Sequence, residues 1–277
     1  MLPSFGKRLS QALAQRAPLC VGVDPSAQLL AKWGLSDDAS GLATFGAAVL
    51  DAVEGLVAVV KPQSAFFERH GSAGIAALER LCDDAQARGL LVLLDAKRGD
   101  IGTTSQAYAE AYLSERSPLR IDAMTVTPYL GVGALAPMFE VAAASGRGLF
   151  VVARSSNPEG APIQDARVEG GLDVVGHVLG EVARANAGAD GLGSIGVVFG
   201  ATCETSGYDL RGFGGPILAP GLGAQGATVD DIARRFAGYA DRVLPAVSRA
   251  VLSAGPDVTS MRAAAAELAT ACREALR

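Results

Sequence analysis

A single-domain (β/α)8 barrel over residues 1–277 is the fold the sequence predicts, on three observations. About eight short aliphatic runs bounded by Gly, Pro or charge alternate with Ala-rich stretches of helical period, the pattern of parallel strands buried on both faces. The length suits one barrel, and no linker or shift of composition marks a second domain. Hydrophobic residues at 49%, charged residues at 19% and 34 glycines supply a large core and many tight turns. An open doubly wound sheet is the structural alternative.

The strands read, in order, "LCVGVD" from Leu19, "VAVVKP" from Val57, "LLVLLDAK" from Leu90, "IDAMTVT" from Ile121, "GLFVVAR" from Gly148, "SIGVVFG" from Ser194, "PILAPG" from Pro216 and "RVLPAVS" from Arg242. Each is short and rich in β-branched or aliphatic residues, and each stops at a turn former or a charge. Between them lie helical stretches such as "ATFGAAVLDAVEG", "GIAALERLCDDAQARG" and "LDVVGHVLGEVARANAG", the second closing at Gly89 as a C-terminal cap. The sixth unit, "ATCETSGYDLRGFGG", is too rich in glycine for a full helix, and one or two turns are expected there.

The net charge of −5 comes from 24 basic and 29 acidic residues without a long basic run, which argues against nucleic acid as a partner. Cys20, Cys82, Cys203 and Cys272 form no CxxC pair, so neither a zinc site nor a disulfide framework is indicated and reduced thiols in the cytoplasm are expected. The first twenty residues have a polar middle where a signal peptide needs an apolar one, and no later apolar run reaches about 18 residues, so neither export nor a membrane is predicted.

The polar residues gather where such barrels carry their chemistry, at the carboxyl ends of the strands. Asp24 ends strand one, Lys61 strand two and Asp95 and Lys97 strand three, while Arg249 follows strand eight. A lone Asp at a strand end is more often a cap or turn former; convergence on one rim is what points to a site. Asp95 and Lys97 are two apart, so in an extended chain both project into the mouth, and a structural ion pair is the simplest account of that pair alone. Lys61 and Asp100 extend it to an alternating Lys, Asp, Lys, Asp array, which a simple salt bridge does not need. Carboxylates beside Lys97 favour its charged form, making it a proton donor rather than a Schiff-base nucleophile. "APGLGAQG", Ala219 to Gly226, with Arg249 after the next strand, forms a candidate phosphate grip. No nucleotide-binding glycine motif and no His pair for a metal occurs; His70 and His177 read as a loop and a helix residue without a role.

"LLDAKRGDIGTT", "KPQSAFFE", "VGVDP", "TVTPYLG", "ARSSNPEG", "APGLGAQG" and "VSRAV" together resemble the orotidine 5'-phosphate decarboxylase family, in its longer bacterial subgroup, over nearly the whole chain. The resemblance implies a TIM barrel that converts orotidine monophosphate to uridine monophosphate, the last step of pyrimidine nucleotide synthesis, with no cofactor. It implies that Lys97 protonates C6, Asp95 lies beside the departing carboxylate, Lys61 bridges ribose and the charges, and Asp24 meets the ribose hydroxyls. It implies that Asp100, Ile101 and Thr104 serve the neighbouring site of a homodimer. Ser156, with Ser155 as the adjacent alternative, corresponds to the serine facing the pyrimidine amide; Pro220, Gln225 and Arg249 correspond to further substrate contacts, the last two to phosphate. Ser248 departs from the glycine expected before the arginine. The nearest rivals are magnesium-dependent sugar-phosphate barrels and a non-catalytic nucleotide-binding barrel, which has no use for two lysines interleaved with two aspartates.

Overall fold

The computed structural model describes residues 2–276. Its strands are β1 (Ala17–Val23), β2 (Val57–Pro62), β3 (Leu91–Arg98), β4 (Ala123–Val126), β5 (Gly148–Arg154), β6 (Ile195–Phe199), β7 (Ile217–Pro220) and β8 (Val243–Val247). They pair in sequence order, all parallel, and β8 returns to β1, so the sheet is a closed barrel rather than an open one. The helices are α1 (Phe5–Gln15), α2 (Ala27–Lys32), α3 (Ala39–Val53), α4 (Ser64–Glu68), α5 (Gly71–Ala87), α6 (Gly102–Leu113), α7 (Ala136–Ser145), α8 (Ala161–Gln164), α9 (Val174–Ala185), α10 (Val229–Arg235), α11 (Arg249–Leu252) and α12 (Val258–Ala275).

Each predicted strand is present within two residues of its expected limits, because a run buried on both faces can be read from hydrophobicity alone. Alternate residues of the strands fill the interior: Leu91 and Leu93 of β3, Phe150 of β5, Leu218 of β7 and Leu244 of β8 belong to one buried cluster. The larger cluster lies between sheet and helices, with Trp33 stacked on Phe45 at 4.2 Å and its Nε1 donating to the Leu252 carbonyl at 3.2 Å. α5 ends as read: Gly89 has φ +72°, a left-handed position that favours glycine just past the last turn. The sixth unit differs from expectation. Between β6 and β7 there are hydrogen-bonded turns and no helix, with Gly207 and Gly214 at positive φ where a helix needs negative φ throughout.

The amino end of the barrel is closed by α1. Phe5 packs edge-on against Phe150 with centroids 6.0 Å apart, and a Cβ at Gly148 would lie 2.2 Å from the Phe5 ring, so only glycine fits at the start of β5. Beside this plug, buried Asp122 accepts from Arg147 at 2.9 Å, from Gln86 at 3.1 Å, from the Val92 amide at 2.9 Å and from Arg8 of α1. One carboxylate thus ties α1, α5, β3 and the start of β5 together. Among the described residues no helix is long and apolar enough to cross a membrane.

Removing that carboxylate strands two largely buried guanidiniums. Asp122→Ala should cost about 3–5 kcal/mol of unfolding free energy, read by chemical denaturation.

Candidate active site

The site begins with the period of β3. Leu91 and Leu93 point into the interior, so Asp95 is the next inward position, 8% exposed, and bridges to Gln63 just past β2. Lys61, 9% exposed, enters the same space from β2 and donates to Asp95 Oδ2 at 3.0 Å. Lys97 Nζ donates to Asp95 Oδ1 at 2.6 Å, and Thr125 Oγ1 of β4 donates to that same oxygen at 2.8 Å. Two ammoniums and a hydroxyl therefore hold one carboxylate.

The chain is not extended at Lys97, as the simple period-two reading assumes. Its φ is +46°, and the β3–β4 register shifts between Leu94 and Arg98. A non-glycine residue in the left-handed region costs about 1–3 kcal/mol and persists only where its surroundings fix it. The turn leaves the Lys97 side chain 51% exposed against 11% for Lys61, so it lies at the open mouth while its ammonium reaches back to Asp95.

Burial opposes ionisation of Asp95, but Lys61 and Lys97 outweigh it and hold the carboxyl well below the usual carboxylate range. Burial likewise opposes the charge on Lys61, and Asp95 and Asp24 overcome it, raising this lysine above its ordinary range. Beneath them, burial pushes the Cys20 thiol up to about 12, so it stays neutral. The pair is locked in its ionic form.

Asp24 follows β1 and, with Lys61, Pro220, Gln225, Ser248 and Arg249, lines a cavity of about 170 Å³. Asp24, Ser248 and Arg249 also line a neighbouring cavity of about 500 Å³, which Lys32 borders. Asp24 Oδ1 and Ser248 Oγ are buried with no hydrogen-bond partner among the described residues, which leaves an acceptor and a hydroxyl for a ligand. Ser248 has φ −135°, outside the left-handed region, so the serine in place of glycine is sterically admissible. Arg249 opens α11 and has no carboxylate partner among the described residues. Gly221, Gly223 and Gly226 all have positive φ, which bends the loop after β7 back over the cavity.

Ser156 Oγ donates to Gln225 Oε1 at 2.7 Å, joining the loops after β5 and β7 across the mouth. Ser155 faces away, its hydroxyl accepting from Gln164 at 2.8 Å and its amide donating to the same side chain at 3.1 Å. Of the two adjacent serines, Ser156 is the one beside Gln225.

The structure does not bring Asp100 into the charge cluster of its own chain. It accepts from the Ile101 amide at 2.8 Å and pairs with neither lysine, because the chain has already turned outward toward α6. Ile101 is 61% exposed and Thr104 is exposed on the first turn of α6. Tyr129 and Leu130, on the loop after β4, are exposed as well. Arg98 anchors this turn: it donates to the Ala96 carbonyl at 3.1 Å, to Tyr112 at 3.3 Å and to Glu68, and lies over the Tyr108 and Tyr112 rings.

Thr125 and Arg98 are the contributors that sequence reading missed. Thr125 left one signal, a hydroxyl inside the aliphatic run "AMTV". Among the described residues no group of three or more His, Cys, Asp or Glu side chains could hold a metal ion.

Compared with known proteins, residues 17–264 match the model of the orotidine 5'-phosphate decarboxylase / HUMPS family. The chain is 57% identical over 275 residues to the orotidine 5'-phosphate decarboxylase of Salinispora arenicola (strain CNS-205), covering 99% of each chain. It is 53% identical over 273 residues to that of Streptomyces coelicolor, covering 98% of each. Among solved structures, the orotidine monophosphate decarboxylase of Leishmania donovani superposes with a TM-score of 0.79 at 28% identity, covering 99% of each chain.

A carboxyl held below its unfolded value contributes stability that is complete above the ordinary carboxylate range and is lost as pH falls through the folded value. The stability difference between wild type and Asp95→Asn should therefore be largest at neutral pH and shrink below about pH 4, by up to about 1.4 kcal/mol per pH unit. Denaturation curves at pH 7 and pH 3 check it.

Proposed function

We propose that this chain, which belongs to the orotidine 5'-phosphate decarboxylase / HUMPS family, converts orotidine monophosphate to uridine monophosphate and carbon dioxide, the last step of UMP synthesis, without metal or organic cofactor. The observation that carries the reading is the Asp95 carboxylate clamped between Lys61 and Lys97 beside a cavity that ends at Arg249. Full-length similarity to relatives named for this activity supports it.

Breaking the bond from C6 to the carboxylate leaves an electron pair in an sp2 orbital that the ring cannot delocalise. Lys97, half exposed at the mouth and tethered by Asp95, offers that pair a fixed positive charge and then a proton, and carbon dioxide departs neutral. Solvent returns the proton to the lysine. In this reading Asp95 lies against the substrate carboxylate, and the repulsion is relieved as carbon dioxide leaves. Lys61 keeps Asp95 ionised and reaches the ribose, whose hydroxyls take the free Oδ1 of Asp24. Arg249 and Gln225 take the phosphate, with Pro220 forming the adjoining wall, and Ser156 faces the pyrimidine amide. Phosphate binding far from C6 helps to hold the reacting carboxylate in place.

A second copy of the chain completes the site in this reading. Asp100, Ile101 and Thr104 project outward, and the exposure of Ile101, Tyr129 and Leu130 supports their burial against another copy. A single-domain homodimer in the cytoplasm is the form we assign; the four cysteines, none in a disulfide, support that compartment.

Mixing the protein with orotidine monophosphate in EDTA should produce the ultraviolet absorbance change of decarboxylation; folded protein giving no change would end this reading, and loss of the signal with chelator alone would favour a metal-dependent barrel. Lys97→Ala should lower turnover by at least about 10³-fold while a product-like nucleotide still binds, as isothermal titration would report. A sedimentation mass of one chain with full activity would contradict the shared site.

A further inference from the structure

We infer that Thr125 is a positioning residue for the reaction, setting both the orientation of Asp95 and the turn that aims Lys97. The inference rests on the function proposed above. Thr125 is 1% exposed, on the strand next to β3. Its Oγ1 lies 3.1 Å from the Ala96 amide, 3.0 Å from the Lys97 amide and 2.8 Å from Asp95 Oδ1. A hydroxyl has one hydrogen and two lone pairs. Both amides can only donate, so they occupy the two lone pairs, and the single hydrogen is committed to Asp95. One allocation of the proton satisfies all three contacts.

The consequence reaches both functional groups. Oδ1 of Asp95 is fixed toward Lys97 and Oδ2 toward Lys61, so the carboxylate does not rotate between them. Where the β3–β4 register shifts, the two amides find an acceptor in a side chain instead of a neighbouring carbonyl, and the residue at φ +46° is held. Thr125→Val keeps shape and strand preference but leaves two amides and a carboxylate lone pair unsatisfied. Thr125→Ser keeps the hydroxyl.

The experiment compares wild type with Thr125→Val, Thr125→Ala and Thr125→Ser in turnover of orotidine monophosphate and in amide hydrogen exchange at Ala96 and Lys97 by NMR. Val and Ala should lower kcat roughly 10- to 100-fold, with KM within about threefold of wild type and faster exchange at both amides. Ser should stay near wild type in both. Should Val fail to fold, the contrast between Ala and Ser decides. Wild-type kcat in the Ala variant, a loss confined to KM, or Ser no better than Ala each overturns the inference. Absence of turnover in wild type overturns the proposed function instead, and the exchange readout then decides for Thr125: unchanged Lys97 protection in the Ala variant overturns it, lost protection rescued by Ser upholds it.

Discussion

Everything at the mouth of the barrel depends on one carboxylate shared by two ammoniums. Asp95 is too buried to remain charged alone, and Lys61 is too buried to remain charged without Asp95. Each makes the other possible, and together they leave Lys97 with a fixed partner and an open face. The arrangement is an ionic floor on which a third charge is presented. Parallel pairing makes it possible: the register that sets Gly22 beside Lys61 and Gln63 beside Asp95 brings β1, β2 and β3 to one rim.

The fold was legible because its strands are aliphatic on both faces. "VAVVKP" reads as a strand for the same reason that it folds as one, and its observed limits, Val57–Pro62, coincide with the reading. Where local chemistry competes with pattern, legibility falls. "ATCETSGYDLRGFGG" is too rich in glycine to read as a full helix, which leaves a turn or two expected, but Gly207 and Gly214 take positive φ and Thr205 donates to the Arg235 carbonyl at the end of α10.

The site was legible in its charges and not in its neutral supports. Asp95, Lys97, Lys61, Asp24 and Arg249 declare themselves as charges at the ends of hydrophobic runs. Thr125 does not, since a threonine in a strand is unremarked until its partners are known. Asp100 shows the opposite limit: proximity in sequence suggested membership of the array, yet the turn at Lys97 carries it out of reach within its own chain. Two adjacent serines in "RSSNP" could be separated only by seeing which of them meets Gln225.

β4 is only four residues long, Ala123–Val126, and it carries a structural duty at each end. Asp122, immediately before it, gathers the ion network at the closed end, and Thr125, three positions on, gathers the mouth. Side chains alternate along a strand, so adding or removing one residue between them turns one of the two anchors to the wrong face. Insertions and deletions are therefore tolerated far less here than in the loops after β5 and β6. Along this segment the length of the chain is constrained as tightly as the identities of Asp122 and Thr125.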